Sequence, residues 1–432
     1  MERLKRNMEI EQTMHSMLGL GMEWAVLSCR FIPATHTFLI TIRETALLWR
    51  KERCPKDGGQ VFCYDHVGPV RWKHLNVFNQ ACELICDLPR AKCRACGRVY
   101  RVTPPWEGLS KHFTRDFEAF ALTLMREMPV NRVSDIVGVA DGRLWRMLLA
   151  HVHRAYAKLN MASVSIVGAD EMNRRKGHNY LTLFCDLSAK RLLFATPGRD
   201  ALTWDKFAQS LRDHGGDPSS VSQVSVDMSP AYREGVNAYF PHAQTVFDKF
   251  HLIGHASSAV DAVRRLETNL DRRRKALLKD SRWLWLKNPH NLSPLQQRRL
   301  ARIDRHSLWT AKAYQMRLAL QAIYLLPLPR AKRRLLSWCR WVNRAAILAP
   351  AHLLRPMLRV ANMISSHLPG ILAHWSAKVT NAFLEGLNSL FSATKRKARG
   401  YRSINYFIAM LYFTSAKLSF PFLPHPPFHC KS

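Results

Sequence analysis

The chain has 432 residues and a formal net charge of +33, from 65 Lys and Arg against 32 Asp and Glu. So large an excess favours a polyanionic partner, with nucleic acid ahead of an anionic membrane, over a solvated basic surface. No stretch reaches the roughly 18 apolar residues of a membrane-spanning helix, and MERLKRNMEIEQ lacks the apolar core of a secretory signal. We therefore expect a cytoplasmic protein with reduced cysteines.

The N-terminal part predicts two strands, at residues 24–31 and 37–42, followed by a cysteine-bearing segment. Cys93 and Cys96 form one C-x-x-C pair, but Asp57 replaces the second cysteine of a pair begun by Cys54. Because zinc takes four tetrahedral ligands, which can include carboxylates, these residues predict a zinc-ribbon-like site. The alternative is a fold held by its own packing, with free thiols at the C-x-x-C pair. Other residues are substitute zinc ligands: Cys63, His66, Cys82 and Cys86.

Residues 130–152 predict a helix-turn-helix after a Pro-rich linker. Two short amphipathic patterns flank Gly138, and Ile136 belongs to the apolar face of the first. The second pattern carries Arg143 and Arg146, which could reach DNA in the manner of a recognition helix. A helical hairpin without a DNA-binding role would show a similar pattern.

Acidic residues follow three predicted strands in the middle of the chain. A strand at residues 164–167 ends near Asp170 and opens an antiparallel meander, and residues 221–226 end at Asp227. A further strand ends at Asp248. Because ligands bind beyond the carboxyl ends of strands in open α/β sheets, we expect a charged site at this edge.

Residues 251–378 predict a basic helical region with 24 Lys or Arg and 5 Asp or Glu. Its tryptophans have the spacing of core residues more than of platforms for stacked bases. Its basic clusters, and one after it, are expected to contact phosphates. These predicted DNA-binding side chains are Arg272, Arg273, Arg274, Lys275, Lys395, Arg396 and Lys397.

Asp170, Asp227 and Glu385 form a candidate carboxylate triad, with Glu385 on a late predicted helix. Phosphoryl transfer at a phosphodiester needs an activated oxygen nucleophile and neutralisation of the leaving oxygen. Two divalent ions supply both, and Mg²⁺ prefers oxygen ligands of this kind. The pattern therefore predicts Mg²⁺ or Mn²⁺ at these three residues, although any one acidic residue alone could equally be a helix cap.

The chain resembles a DDE transposase of the bacterial ISL-three insertion-sequence family over residues 50–415. The resemblance rests on GADEMNRRKGHNYLTLFCDL, VSVDMSPAYREGV, FPHAQTVFDKFH, AVRRLE and NAFLEGLNSLFSATKRKARGYRS in that order. It implies an α/β fold with a ribonuclease H-like catalytic core and a large helical insertion, preceded by a small zinc-ribbon-like segment and a helix-turn-helix. The family usually has two complete C-x-x-C pairs, so Asp57 is a departure.

The resemblance also implies how the residues are used. Asp170, Asp227 and Glu385 match the catalytic, metal-holding positions, while Asp248 and His251 match a motif near the site and are expected in a supporting shell. The expected activity is metal-dependent DNA strand cleavage at terminal inverted repeats, which frees a 3′-OH, followed by attack of that 3′-OH on target DNA. Zn²⁺ would be held by the N-terminal segment. The expected partners are the inverted-repeat and target duplexes, bound by a homodimer or larger assembly in the bacterial nucleoid, with no membrane.

Two other functions stay open: a transposase-derived DNA-binding repressor that no longer cuts, and a ribonuclease H-like nuclease that cuts without joining.

The predicted domain boundaries are as follows: a lead-in at 1–50, the zinc-ribbon-like segment at 51–103, the helix-turn-helix domain at 104–160, the core at 161–250 and 379–418, the insertion at 251–378 and a disordered tail at 419–432.

Overall fold

The computed structural model describes residues 2–173, 180–304, 308–377, 382–397 and 401–421. They form a mixed α/β structure, as predicted, with two five-stranded sheets and many helices. The chain divides into two compact units. One contains the residues up to Leu159 and the described residues from Phe391 on, and the other contains Asn160–Leu390. The predicted tail falls largely on residues 422–432, which lie outside the described part.

The first unit begins with a sheet in the order β1-β2-β4-β3, with β5 paired to β4. The β2 and β4 strands are parallel and the other neighbours antiparallel. The two strands predicted at its start are present. Because the sheet joins residues on both sides of position 50, the predicted lead-in and cysteine-bearing segment share one core. Its elements are α1 (Glu2–Met17), β1 (Trp24–Ile32), β2 (Thr37–Glu44), α2 (Ala46–Lys51), β3 (Val61–Val77), β4 (Gln80–Cys93) and β5 (Val99–Arg101).

The β3–β4 hairpin was not among the predicted elements. Strand β4 buries every second side chain, Cys82, Leu84, Cys86 and Leu88, each at most 1% exposed. That alternation is the period of a strand with one face in the core. Trp72 of β3, which pairs with Leu84 of β4, is fully buried as well. The cysteines at positions 82 and 86 thus serve as small core residues.

Three helices follow in the first unit: α3 (Arg115–Glu127), α4 (Val130–Val137) and α5 (Asp141–Tyr156). The Thr114 hydroxyl accepts a hydrogen bond from the Phe117 N–H and so begins α3. Gly138 ends α4 in the left-handed region, with φ of 65°, which glycine adopts at little cost. Ile136, predicted on the apolar face of α4, is 52% exposed, so that part of the prediction is wrong.

Two further helices lie late in the chain, α16 (Ala382–Lys397) and α17 (Ile404–Ser415). The boundary between the two units falls within α16. Helix α17 packs on α5, where the rings of Tyr406 and Trp145 stack with centroids 4.6 Å apart. The last described helix therefore completes the core around α5.

The second unit contains a sheet in the order β10-β9-β6-β7-β8. The β6, β7 and β8 strands are antiparallel neighbours, while β9 is parallel to both β6 and β10. The predicted meander and the two later strands are therefore present. Phe184 stacks on Phe207 at 4.2 Å in the core between sheet and helices. The elements are β6 (Ile166–Asn173), β7 (Tyr180–Asp186), β8 (Arg191–Pro197), α6 (Ala201–Asp213), β9 (Gln223–Val226), α7 (Pro230–Tyr239) and β10 (Gln244–Phe247).

A run of helices follows, as predicted. Trp285 and Trp338 are at most 3% exposed and belong to its core, whereas Trp283 is 61% exposed. No helix in the described part of the chain is long and apolar enough to cross a membrane. The helices are α8 (Lys249–Thr268), α9 (Arg272–Leu278), α10 (Arg282–Leu286), α11 (Pro294–Asp304), α12 (Trp309–Ile323), α13 (Leu328–Leu348), α14 (Arg355–Ser366) and α15 (Leu368–Leu372).

Candidate active site and metal centre

Asp170 and Asp227 occupy equivalent places on neighbouring parallel strands. The last paired residues of β6 and β9 are Gly168 and Ser225, and each aspartate lies two positions further along its strand direction. Since side chains alternate along a strand, residues two positions apart project to the same face. Strand β6 itself continues to Asn173, so Asp170 lies within the strand and not at its end as predicted.

The side chain of His251, in the first turn of α8, lies among three carboxylates. Its Nε2 is 3.8 Å from Asp170 Oδ1 and 4.0 Å from Asp248 Oδ2, and its Nδ1 is 3.9 Å from Asp227 Oδ1. Asp248 is the N-cap of α8 and accepts a hydrogen bond from the Phe250 N–H at 2.8 Å. The cap fixes the first turn of α8, and therefore the place of His251, against the end of β10.

Glu171 is a further acidic residue at this edge and was not among the predicted site residues. Burial is the main cause that raises its pKa; Arg199 opposes the rise, while the carboxylates of Asp227 and Asp170 add to it. The shift therefore reports mainly the burial of this carboxyl, with a smaller contribution from the two neighbouring carboxylates. The sequence signal for it is the acidic pair at positions 170 and 171.

Glu385 is in a helix, α16, as predicted. The placement of its side chain lies outside the described residues. The structure therefore brings together Asp170, Asp227, Asp248 and His251, and places the backbone of Glu385 in the same unit as these four residues.

Cys54, Asp57, Cys93 and Cys96 converge in the first unit. One ligand atom from each lies within 4.8 Å of every other. The Sγ atoms of Cys54 and Cys96 are 3.7 Å apart, and Cys93 Sγ is 3.5 Å from both carboxylate oxygens of Asp57. Tetrahedral zinc with bonds of 2.0 to 2.3 Å places neighbouring ligand atoms about 3.4 to 3.8 Å apart. The four predicted residues thus fit a zinc ion.

Electrostatics within this cluster favour a ligating carboxylate at position 57. The Gly59 N–H, followed by the thiols of Cys96 and Cys54, holds the pKa of Asp57 well below its usual range. The N–H of Cys96 lowers the pKa of Cys93. At Cys96 the Arg98 N–H lowers the pKa, but the Asp57 carboxylate, together with burial and the neighbouring thiols, raises it to about 11. A bound dication would reverse this last effect, because it favours the thiolate.

The substitute ligands named from the sequence lie elsewhere. Cys82 and Cys86 are fully buried in the sheet, where burial is the main cause that raises the pKa of each thiol. Cys63 and His66 instead form a separate group with Glu44. None of these four residues therefore takes part in the Cys54–Cys96 cluster.

Helices α4 and α5 form the predicted pair of helices around Gly138. Arg143 and Arg146 lie on the exposed face of α5, and the guanidinium of Arg143 lies 4.6 Å from the centroid of the Phe113 ring. The buried carboxylate of Glu118, 2.9 Å from the ring of His151, ties α3 to α5.

The other predicted DNA-binding residues differ in exposure. Arg272, Arg273 and Lys275 of α9 are exposed, whereas Arg274 pairs with Asp271 and Glu267. Such pairing reduces the capacity of Arg274 to bind phosphate, a consequence the sequence did not reveal. In α16, Lys395 is half-buried and Arg396 is exposed, and the side chain of Lys397 lies outside the described residues.

Two protein families match this chain, one over the region of the aspartates and one over the helix-turn-helix. Residues 167–411, more than half of the chain, match the DDE transposase family ISL3, described as a transposase. Residues 110–152 match the helix-turn-helix domain of transposase family ISL3.

Curated transposases are similar in sequence to this protein over most of the chain. The transposase for insertion sequence element IS1001 of Bordetella parapertussis is 26% identical over 391 residues, which cover 89% of this chain and 92% of the relative. The transposase for insertion sequence element IS1557 of Mycobacterium tuberculosis is 25% identical over 394 residues, covering 84% and 86%. The helix-turn-helix match implies DNA binding, and the chain belongs to the ISL3 family of DDE insertion-sequence transposases.

Proposed function

We propose that the chain cleaves and joins DNA strands at the ends of its insertion sequence, with Asp170, Asp227 and Glu385 as the catalytic, metal-holding residues. One observation carries this proposal: the Asp170 and Asp227 carboxylates approach the same imidazole, that of His251, from adjacent parallel strands. Two carboxylates held near one another repel, which lowers the stability of the fold. A bound cation would offset that repulsion.

The donor set fits Mg²⁺ or Mn²⁺. Asp170 and Asp227 offer carboxylate oxygens, which these ions prefer, and their side chains are 16% and 32% exposed, so DNA phosphates can reach them. When bound, two such ions would activate the attacking oxygen and neutralise the leaving oxygen. Glu385, from α16, would complete the set.

The protein's own groups hold this arrangement in place. The Glu171 N–H donates to Asp170 Oδ1 at 2.7 Å, and the Met228 N–H donates to Asp227 Oδ1 at 2.6 Å. Each aspartate therefore has one oxygen fixed by the backbone, which orients its carboxylate before substrate binds. Asp248 fixes α8, and His251 acts as a positioning residue between the carboxylates.

We further propose that the second sheet is the ribonuclease H-like core, with residues 251–378 as its insertion. The mixed sheet, with acidic residues on its neighbouring strands, supports this assignment. In the first unit, Cys54, Asp57, Cys93 and Cys96 would hold Zn²⁺.

DNA recognition would be divided between the two units. Arg143 and Arg146 of α5 would read the terminal inverted repeats from the major groove. The exposed cations of residues 251–378, and those of α16, would bind phosphates with little sequence preference. Pairing of two ends would require a dimer or larger assembly, acting on the bacterial nucleoid.

Cleavage and joining assays on the element's own ends, with Mg²⁺ or Mn²⁺, test the proposal. Asp227→Asn is expected to lose at least about 100-fold in strand cleavage, since several kcal/mol of charge stabilisation would be removed. Asp205→Asn, an exposed residue of α6, is the matched control and should cleave normally.

Equal cleavage by the intact chain and Asp227→Asn would overturn the catalytic assignment. Specific binding of the ends without cleavage under any metal would favour a repressor, and cleavage without joining would favour a nuclease. Far-ultraviolet circular dichroism of each variant shows whether a loss of activity reflects unfolding.

A further inference from the structure

A second group of metal-ligating side chains lies in the first unit, separate from the Cys54–Cys96 cluster. It consists of Glu44, at the end of β2, with Cys63 and His66 of β3. One ligand atom from each lies within 4.8 Å of the other two, and His66 Nε2 is 2.7 Å from Glu44 Oε1. A carboxylate, a thiol and an imidazole together are a donor set that zinc accepts.

The backbone is shaped so that both β3 residues face this point. Residues three apart on a regular strand would point to opposite faces. The register, however, pairs Cys63 with Ala91 and His66 with Pro89, which are only two positions apart on β4. A bulge between Cys63 and Asp65 supplies the extra residue. Bulges re-aim side chains in this way beside functional sites.

The buried carboxylate of Glu44 supports a metal site independently of the strand geometry. Its side chain is only 8% exposed, and its Oε2 atom is buried without a hydrogen-bond partner among the described residues. A buried carboxylate oxygen without a partner loses its hydration and gains nothing in exchange, which destabilises the fold. The contact with His66 satisfies Oε1 alone, so an ordinary histidine–carboxylate pair does not account for the second oxygen.

We propose that Glu44, Cys63 and His66 form a second zinc site, with water at the fourth position. Zinc would separate the nitrogen of His66 and the oxygen of Glu44 to about 3.4 Å and replace their direct contact. Because β2 and β3 lie on opposite sides of β4, the ion would fasten the two flanking strands together. The Glu44 carboxylate would then be neutralised where it is buried.

The test is the zinc content of the intact chain after equilibration with Zn²⁺ and removal of unbound metal. His66→Gln and Cys63→Ser each remove a proposed ligand and are expected to hold one equivalent of zinc less than the unaltered chain. Cys29→Ser removes a half-buried thiol of β1 outside the group and should leave the content unchanged. His66→Gln is the least disruptive variant, because the ring is 30% exposed.

Cobalt(II) substitution in a background with Cys54→Ser, Cys93→Ser and Cys96→Ser isolates this site from the first, because no thiol of the first cluster remains. Thiolate-to-cobalt absorption should persist there, and Cys63→Ser should abolish it. If His66→Gln and Cys63→Ser, folded by circular dichroism, retain the same zinc content as Cys29→Ser, the site does not bind zinc. If these variants are less stable but hold as much zinc as the unaltered chain, His66 and Glu44 form only a histidine–carboxylate pair. That result would equally overturn the proposal.

Discussion

The imidazole of His251 lies 3.8 Å from the carboxylate of Asp170, between Nε2 and Oδ1. The same ring also faces Asp227 and Asp248, so one side chain contacts every acidic residue predicted from the strand ends. Helix α8 can place the ring there because Asp248 caps its first turn. The contact makes His251 the best residue with which to test how the carboxylates are positioned.

His251→Gln is expected to lower strand cleavage about 10- to 100-fold, since groups that orient metal-holding carboxylates have effects of that size. The Mg²⁺ concentration needed for half-maximal cleavage should rise with it, which a general loss of stability would not produce. His255→Gln is the matched control, an exposed histidine one turn later in α8. An unchanged Mg²⁺ requirement in His251→Gln would exclude the positioning role.

Gly235 of α7 is required by the ring of Trp204. A Cβ at position 235 would lie 2.3 Å from Trp204 Cδ1, and that ring is fully buried. Gly235→Ala should therefore lower the free energy of unfolding by about 1–3 kcal/mol through overpacking. The comparison is Gly254→Ala in α8, where an added Cβ has no atom within 4 Å. This variant should have a free energy of unfolding about 0.5–1 kcal/mol higher than the unaltered chain. Urea unfolding followed by tryptophan fluorescence would measure both, and equal stabilities would contradict the packing argument.

His74 should make the first unit sensitive to acid. Its Nδ1 lies 2.9 Å from the hydroxyl of Thr114, the N-cap of α3, and burial is the main cause that lowers its pKa. The folded state then binds a proton less readily than the unfolded state, so stability is full above the usual histidine pKa of about 6.5 and falls as the pH drops through it.

The measurement is the difference in unfolding free energy between pH 7.5 and pH 5. The unaltered chain should lose more stability over this range than His74→Gln, because other titrating groups are common to both. His153→Gln, an exposed histidine of α5, should behave as the unaltered chain does. An identical pH dependence in all three proteins would show that His74 does not titrate with folding.

The sequence predicted the second sheet well because its strands are short, apolar and separated by clear turn residues. It also predicted the helix that holds Glu385 and the four residues of the first cysteine cluster. The β3–β4 hairpin was not predicted because its buried positions include Cys82 and Cys86, and cysteines in such a segment are typical of metal ligands as well as of a core.

Other features depend on tertiary contacts that spacing cannot reveal. Glu171 is distinguished from Asp170 by its burial and by its neighbours in the fold, among them Arg199 and Asp227. The group of Glu44 with Cys63 and His66 requires a bulge and a strand order that place β2 and β3 on either side of β4. Arg274 belonged to a basic run in the sequence, yet it pairs with neighbouring carboxylates in the fold.

Asp57 is expected to be a zinc ligand, in place of the family's usual cysteine. Its carboxylate oxygens lie 3.5 Å from Cys93 Sγ, a separation typical of two ligands on one tetrahedral ion. Asp57→Cys should raise zinc affinity, measured by competition with a chelator, because a fourth thiolate suits zinc better than a carboxylate oxygen does. Asp57→Ala should lower the affinity about 10- to 100-fold.

The matched control for the added thiol is Asp87→Cys, at an exposed position of β4, which should not change zinc affinity at the first cluster. Measurements in a His66→Gln background would keep the second group from contributing. If Asp57→Ala and Asp57→Cys both bind zinc as the unaltered chain does, the carboxylate is a neighbour of the site and the ion is held by the three thiols alone. If Asp57→Ala binds more weakly and Asp57→Cys more tightly, the departure from the family pattern weakens the zinc site without abolishing it.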